Sequence, residues 1–245
     1  MQRYRIQVAY DGTGYLGWQV QPHGITVQAC LEAAIRQLTG ETVKVHGSGR
    51  TDQGVHARGQ VAHFDLVKEW TPAALHKALN ALLPADIRIL QAAEVAADFH
   101  ARRSVVEKEY RYFVWNGPVL PPFYRNYKAH VRLPLDVRAM RAAAAHMVGR
   151  HDFAAFTANP NREVESTVRE VTALRVCKHG AYLAIAVCGE GFLYRMVRSI
   201  AGLLIRVGEG AVSPAEVQAI LASRLRTARV PTAPACGLFL WKVKY

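Results

Sequence analysis

Residues 42–66 read "TVKVHGSGRTDQGVHARGQVAHFDL". Two stretches of alternating apolar residues, 42–46 and 59–66, flank a segment dense in glycine, arginine, aspartate and histidine. Alternation with period two is the pattern of half-buried β-strands. The helices expected on either side decide the fold. Upstream, Thr26 can cap a helix over 26–38, with Val27, Leu31, Ile35 and Leu38 on one face and Gly40 ending it. Downstream, Thr71 and Pro72 open a second helix, with Leu75, Leu79 and Leu82 inward. Strands at 4–10 and 86–94 complete the order β-α-β-β-α-β.

The second half repeats that order. Strands are expected at 104–116, 167–177, 181–188 and 238–244, with helices at 135–148 and 191–207 and a smaller one at 214–224. Two successive split β-α-β units point to an α+β protein made of two ferredoxin-like halves. Their antiparallel sheets would enclose a central basic cleft. The arginine-rich "FHARRS" at 99–104 marks the boundary, giving halves 1–103 and 104–245.

Composition narrows the function. The 245 residues are 51% hydrophobic, enough for a substantial core. No run approaches the roughly 18 apolar residues of a membrane span. The opening "MQRYRIQVAYDG" lacks the apolar segment of a secretory signal, so a soluble cytoplasmic protein is expected. Cys30, Cys177, Cys188 and Cys236 are scattered, without zinc or disulfide spacing, and reduced thiols are expected. Lys and Arg total 31 against 19 acids, a net charge of +12. Many arginines adjoin aromatics ("EYRYFVW", "FYRNY", "FLYRMVR"), a pairing suited to phosphate contact and base stacking. A nucleic acid is the expected partner.

"DGTGYLG" at 11–17 contains G-x-G-x-x-G after a strand, but Pro22 and Gly24 intervene before any helix. A dinucleotide site needs the helix to open at once. A glycine-rich turn presenting Tyr15, Trp18 and Gln19 to a partner fits better, with inward packing of Trp18 an equal alternative.

Within 47–60 the glycines permit close backbone approach, while Arg50 and Arg58 supply donors for phosphate or carboxylate. A carboxylate kept ionised by cationic neighbours can act as nucleophile or base, which singles out Asp52. His56, His63 and Asp65 offer a rival metal set, but the positive surroundings oppose it and no metal is expected. Arg58 and Gln60 join Arg50 as candidate substrate-binding residues.

The stretch "GSGRTDQGVHARGQVAHFD" resembles the signature of the tRNA pseudouridine synthase A family. "YDGTGYLGWQVQ" at 10–21, "EKEYRYFVWN" at 107–116 and "GFLYRMVRSIAG" at 191–202 are similar to further family motifs, in the same order. The resemblance implies a cofactor-free isomerisation of uridine to pseudouridine in the anticodon stem-loop of tRNA, at positions 38, 39 and 40. It implies that Asp52 is the nucleophile, attacking C1′ of ribose or C6 of uracil. Arg50 would hold the RNA as the uridine flips out, Tyr110 would stack on the target base, and Arg198 would partner the carboxylate. A helical wheel places Arg195, Arg198 and Arg206 with Gly202, opposite Phe192, Met196, Ile200 and Leu203. The family is also expected to act as a homodimer. Two rival classes remain open. A non-catalytic RNA-binding protein leaves the aspartate unexplained. The second is a different RNA-modifying enzyme, but a zinc deaminase would need H-x-E with P-C-x-x-C, neither of which occurs, and a methyltransferase would need a glycine-rich turn opening directly into a helix.

Overall fold

A computed structural model describes residues 1–158 and 165–245. The described chain is a mixed α/β protein of ten strands and five α-helices. It divides into two compact units: Met1–Val106 with Phe239–Tyr245, and Glu107–Leu238. The last strand thus counts with the first unit, a return that sequence order alone does not announce.

In the first unit, β1 (Gln2–Tyr10) lies between β3 (His56–Leu66) and β4 (Ile87–Val95), antiparallel to both. Its alternation buries Tyr4, Ile6, Val8 and Tyr10 on one face. Helix α1 (Val27–Thr39) begins where the Thr26 hydroxyl accepts the Ala29 N–H, and stops at Gly40 in the left-handed region, φ 76°. Helix α2 (Pro72–Leu82) starts the same way at Thr71 and buries Leu75 and Leu79. Leu82, expected inward, is at the surface, and Leu83 just beyond the helix is buried instead. Strand β10 (Leu238–Lys244) runs parallel to β3, pairing Phe239 with His56 and Leu240 with Ala57.

The strand expected at 42–46 shrinks to β2 (His46–Gly47), paired with His63 and Ala62. Its predecessor Val45 gives its N–H to the Glu32 carboxylate at 3.0 Å rather than to a neighbouring strand. Conversely, β3 starts three residues before the expected position, so His56 and Arg58 lie on a strand rather than in the loop.

In the second unit, β5 (Glu107–Asn116), β9 (Tyr182–Gly189), β8 (Val168–His179) and β7 (Gly149–Asp152) follow one another across the sheet, antiparallel throughout. Strand β6 (Ala129–Val131) lies parallel to β5 on its other side. Neither β6 nor β7 has a readable sequence signal, being three and four residues long. Helix α3 (Val137–Ala145) is capped by Asp136 and packs on β8 and on α4 (Met196–Gly208). Helix α5 (Glu216–Ser223) follows. The four cysteines are free thiols. Among the described residues, no helix is long and apolar enough to cross a membrane.

Candidate active site

In the first unit, the segment carrying Asp52 is cast against the glycine-rich segment that follows β1. The Trp18 N–H donates to the Thr51 carbonyl at 3.1 Å, and the Gly54 N–H donates to the Tyr15 carbonyl at 3.4 Å. A turn closes the loop itself, with the Val55 N–H on the Asp52 carbonyl at 3.1 Å. Two glycines make this contact possible. A β-carbon on Gly12 would stand 2.0 Å from the Val55 carbonyl oxygen. One on Gly17, whose φ is +92°, would stand 2.4 Å from the Thr51 carbonyl oxygen and 3.0 Å from the Asp52 carbonyl carbon. Gly12 and Gly17 of "DGTGYLG" therefore serve backbone-to-backbone packing.

This packing decides between the two readings of the turn. Tyr15 and Trp18 are buried rather than offered to a partner. The Tyr15 hydroxyl donates to Asp86 at 2.6 Å, and the Trp18 indole fills the space above Gly47, where a β-carbon would come within 2.6 Å of the ring. Gln19 alone of the three reaches the loop's outer side, accepting from Arg50 Nε at 3.1 Å.

The side chains beneath the loop are polar and satisfied. The Tyr10 and Thr51 hydroxyls share a hydrogen bond of 2.8 Å. Burial raises the Tyr10 pKa, keeping that phenol neutral. Gln60, expected to touch substrate, is 0% exposed. Its Oε1 accepts from the Ser48 hydroxyl at 2.6 Å and its Nε2 donates to the Gly49 carbonyl at 2.9 Å. One end of the amide holds the Ser48 side chain and the other the Gly49 backbone, and a buried amide left unpaired would cost about 1–3 kcal/mol. Asp52 itself is half-buried, and Arg50 and Arg58 are exposed. The Arg58 guanidinium lies 4.4 Å above the Trp241 ring of β10, which fixes its direction.

The rival metal set does not assemble. His56 Nδ1 faces the Gly12 N–H at 3.0 Å, and its ring stacks on Phe239 at 4.5 Å. His63 Nδ1 accepts the Ala101 N–H at 3.1 Å, and Asp65 is held by Arg3 at 2.7 Å. Each group is spent in a different direction.

In the second unit, Tyr110 projects from β5 and is 8% exposed, with the Phe192 ring edge-on at 5.3 Å. Arg198 lies in the first turn of α4, half-buried. Its Nε donates to the Ala233 carbonyl at 2.8 Å, while the Ala233 N–H returns to the Arg198 carbonyl at 3.1 Å. The expected helical wheel needs correction. The helix starts at Met196, so Phe192 and Arg195 precede it. Gly202, expected on a polar side, is buried, with the Pro231 carbonyl oxygen where a β-carbon would be, 2.1 Å away. The segment 231–233 covers that side of the helix, a contact for which the sequence "VPTA" gives no periodic signal.

A family model described as tRNA pseudouridine synthase matches residues 6–102 and 143–245 of this chain. The chain belongs to the tRNA pseudouridine synthase family. Similar full-length relatives include a tRNA pseudouridine synthase A of Brevibacillus brevis, 49% identical over 245 residues and covering 100% of both chains. One of Halalkalibacterium halodurans is 48% identical, covering 97% of this chain and 90% of that one. A third, of Pelobacter propionicus, is 45% identical over the full length of both. The family match includes both glycine-rich segments of the synthase, Tyr10–Gly17 and Gly47–Gln60, and the α4 region with Arg198.

Proposed function

We propose that this tRNA pseudouridine synthase isomerises uridine at positions 38, 39 and 40 of the anticodon stem-loop, with Asp52 as the nucleophile. The observation that carries the assignment is the mould around Asp52. Two glycines without room for a β-carbon, a buried Gln60 and a Tyr10–Thr51 bond all fix the backbone of one half-buried aspartate. Preorganisation of that degree around one carboxylate is what a covalent step requires.

The chemistry conserves atoms. The C1′–N1 glycosidic bond breaks, the uracil turns, and a C1′–C5 bond forms. C5 loses its proton and N1 gains one, so no redox partner or energy source is consumed. Asp52 attacks C1′ or C6 in the course of this exchange. The uridine must leave the helical stack, at a cost of a few kcal/mol, and the planar guanidinium of Arg50 suits the vacated space. Tyr110, a ring held edge-on by Phe192, is proposed to stack on the base. Arg198 is proposed as the carboxylate's partner in the reaction. Exposed Arg58 is proposed to contact phosphate, and Gln60 to position the loop rather than to bind substrate. The halves are read as ferredoxin-like sheets bordering a basic RNA-binding cleft, and the active species as a cytoplasmic homodimer. Net positive charge and the aromatic–arginine runs support the RNA surface.

Incubation with unmodified tRNA transcripts, followed by pseudouridine mapping, tests the assignment. Product at 38–40, formed in EDTA without added cofactor, is expected. Product only elsewhere, or only with added metal, would contradict it.

A further inference from the structure

Arg226 has no place in the assignments above, yet it is a half-buried cation tied to two neutral hydroxyls. One terminal nitrogen donates to Ser199 Oγ at 2.9 Å and the other to Thr232 Oγ1 at 2.8 Å. Ser199 is fully buried in the first turn of α4, one residue after Arg198. Thr232 sits in the middle of the 231–233 segment, between the Pro231 carbonyl that fills the space at Gly202 and the Ala233 carbonyl that receives Arg198 Nε. No carboxylate pairs with Arg226 among the described residues. Burial and the charge of Arg195 both push its pKa down. A cation kept in such a place needs a geometric reason, because neutral partners give little return for its desolvation.

The reason is visible in what the fork joins. Segment 231–233 meets α4 through the backbone pair at Arg198 and Ala233 and through the close approach at Gly202. Arg226 adds the two-pronged side-chain tie that sets the distance between Ser199 and Thr232. The Ala233 carbonyl, which orients the Arg198 guanidinium, is one residue from that tie. We infer that Arg226 is a positioning residue for Arg198, acting through Ser199 and Thr232 to hold the carbonyl that aims the Arg198 fork. A lysine cannot replace it, because an ammonium on a flexible stem does not span two fixed acceptors in one plane.

The inference rests on the reading that Arg198 serves the isomerisation, and the test separates the two. Steady-state kinetics on an unmodified tRNA transcript are measured for Arg226→Gln, Arg226→Lys and Thr232→Val, with thermal unfolding as a control for folding. Thr232→Val is close in shape, keeps the cation and removes only one prong, so it decides the matter even if Arg226→Gln fails to fold. We expect kcat to fall about tenfold or more in Thr232→Val and Arg226→Lys, with KM within about twofold of the parent, the split that marks a lost transition-state contact. In an Arg198→Lys background, Thr232→Val should add little further loss. Unchanged kcat in Thr232→Val overturns the inference. So does a raised KM at constant kcat, which would make the cation an RNA contact. Full multiplicative loss in the double variant overturns it as well, since independent sites add. If Arg198→Lys alone leaves kcat intact, the reading of Arg198 fails, which is a separate result.

Discussion

The Thr51 carbonyl oxygen accepts the Trp18 N–H at 3.1 Å and occupies the place where a β-carbon of Gly17 would be, 2.4 Å away. One oxygen therefore both anchors the aspartate loop and forbids a side chain at the facing residue. Gly17→Ala would meet that oxygen and also carry a left-handed φ of +92°, a conformation that costs an L-residue about 1–2 kcal/mol. The expected outcome is a fall in kcat of about 10- to 100-fold, from sub-ångström displacement of the loop. Gly14→Ala is the control, because nothing lies within 4 Å of its would-be β-carbon. Kinetics near the parent are expected there.

Gln60→Leu removes an amide whose two ends hold Ser48 Oγ and the Gly49 carbonyl. Stability should drop by about 1–3 kcal/mol, the cost of orphaned buried polar groups. If Gln60 positions the loop, kcat falls and KM for tRNA stays nearly constant. A selective rise in KM would restore it as a substrate contact.

His63 makes stability depend on pH. Burial first, then the neighbouring charges of His100, His46 and Arg3, push its pKa down to about 4. In the unfolded chain a histidine titrates near 6.5. Between those values the unfolded state binds the proton and the folded state does not, so stability is lost as pH falls from about 6.5 toward 4. Chemical denaturation at pH 7.5 and at pH 5 should show the folded state weaker at the lower pH. In His63→Asn that loss should shrink, although the variant starts from a lower stability because the bond to the Ala101 N–H changes.

Arg58 is exposed and directed by Trp241. As a phosphate contact, Arg58→Ala should weaken tRNA binding evenly across tRNA species and reduce the slope of log affinity against log salt by about 1. Filter binding between 50 and 200 mM salt (about the range over which counterion release is steep) measures it. An unchanged slope would exclude the phosphate role.

Much of this was legible in the sequence for physical reasons. The helices at Val27–Thr39 and Pro72–Leu82 carry threonine caps and a clear apolar face, and β1 alternates cleanly. The shortening of the 42–46 strand to His46–Gly47 was not, because a side chain of α1, Glu32, takes the Val45 backbone donor. Strands of three and four residues such as β6 and β7 are too short to show a period. The sequence leaves the 11–17 segment open between facing a partner and packing inward, since its counterpart, the Thr51–Val55 backbone, is distant in sequence and leaves no local trace. Gln60 looked like a ligand contact for the same reason: its partners, Ser48 and Gly49, meet it only across the β2–β3 turn. Arg226 was invisible altogether, because what singles it out is the pair of hydroxyls at 199 and 232, not its own neighbours.

One isosteric change tests the proposed role of the Asp52 carboxylate. Asp52→Asn keeps the side chain's shape and removes its charge and nucleophilicity. Purified variant and parent are each incubated with the same unmodified tRNA transcript, and pseudouridine at 38–40 is mapped after equal times. The expected result is a folded variant that still binds tRNA and forms no detectable pseudouridine. Pseudouridine formation at the parental rate would contradict it.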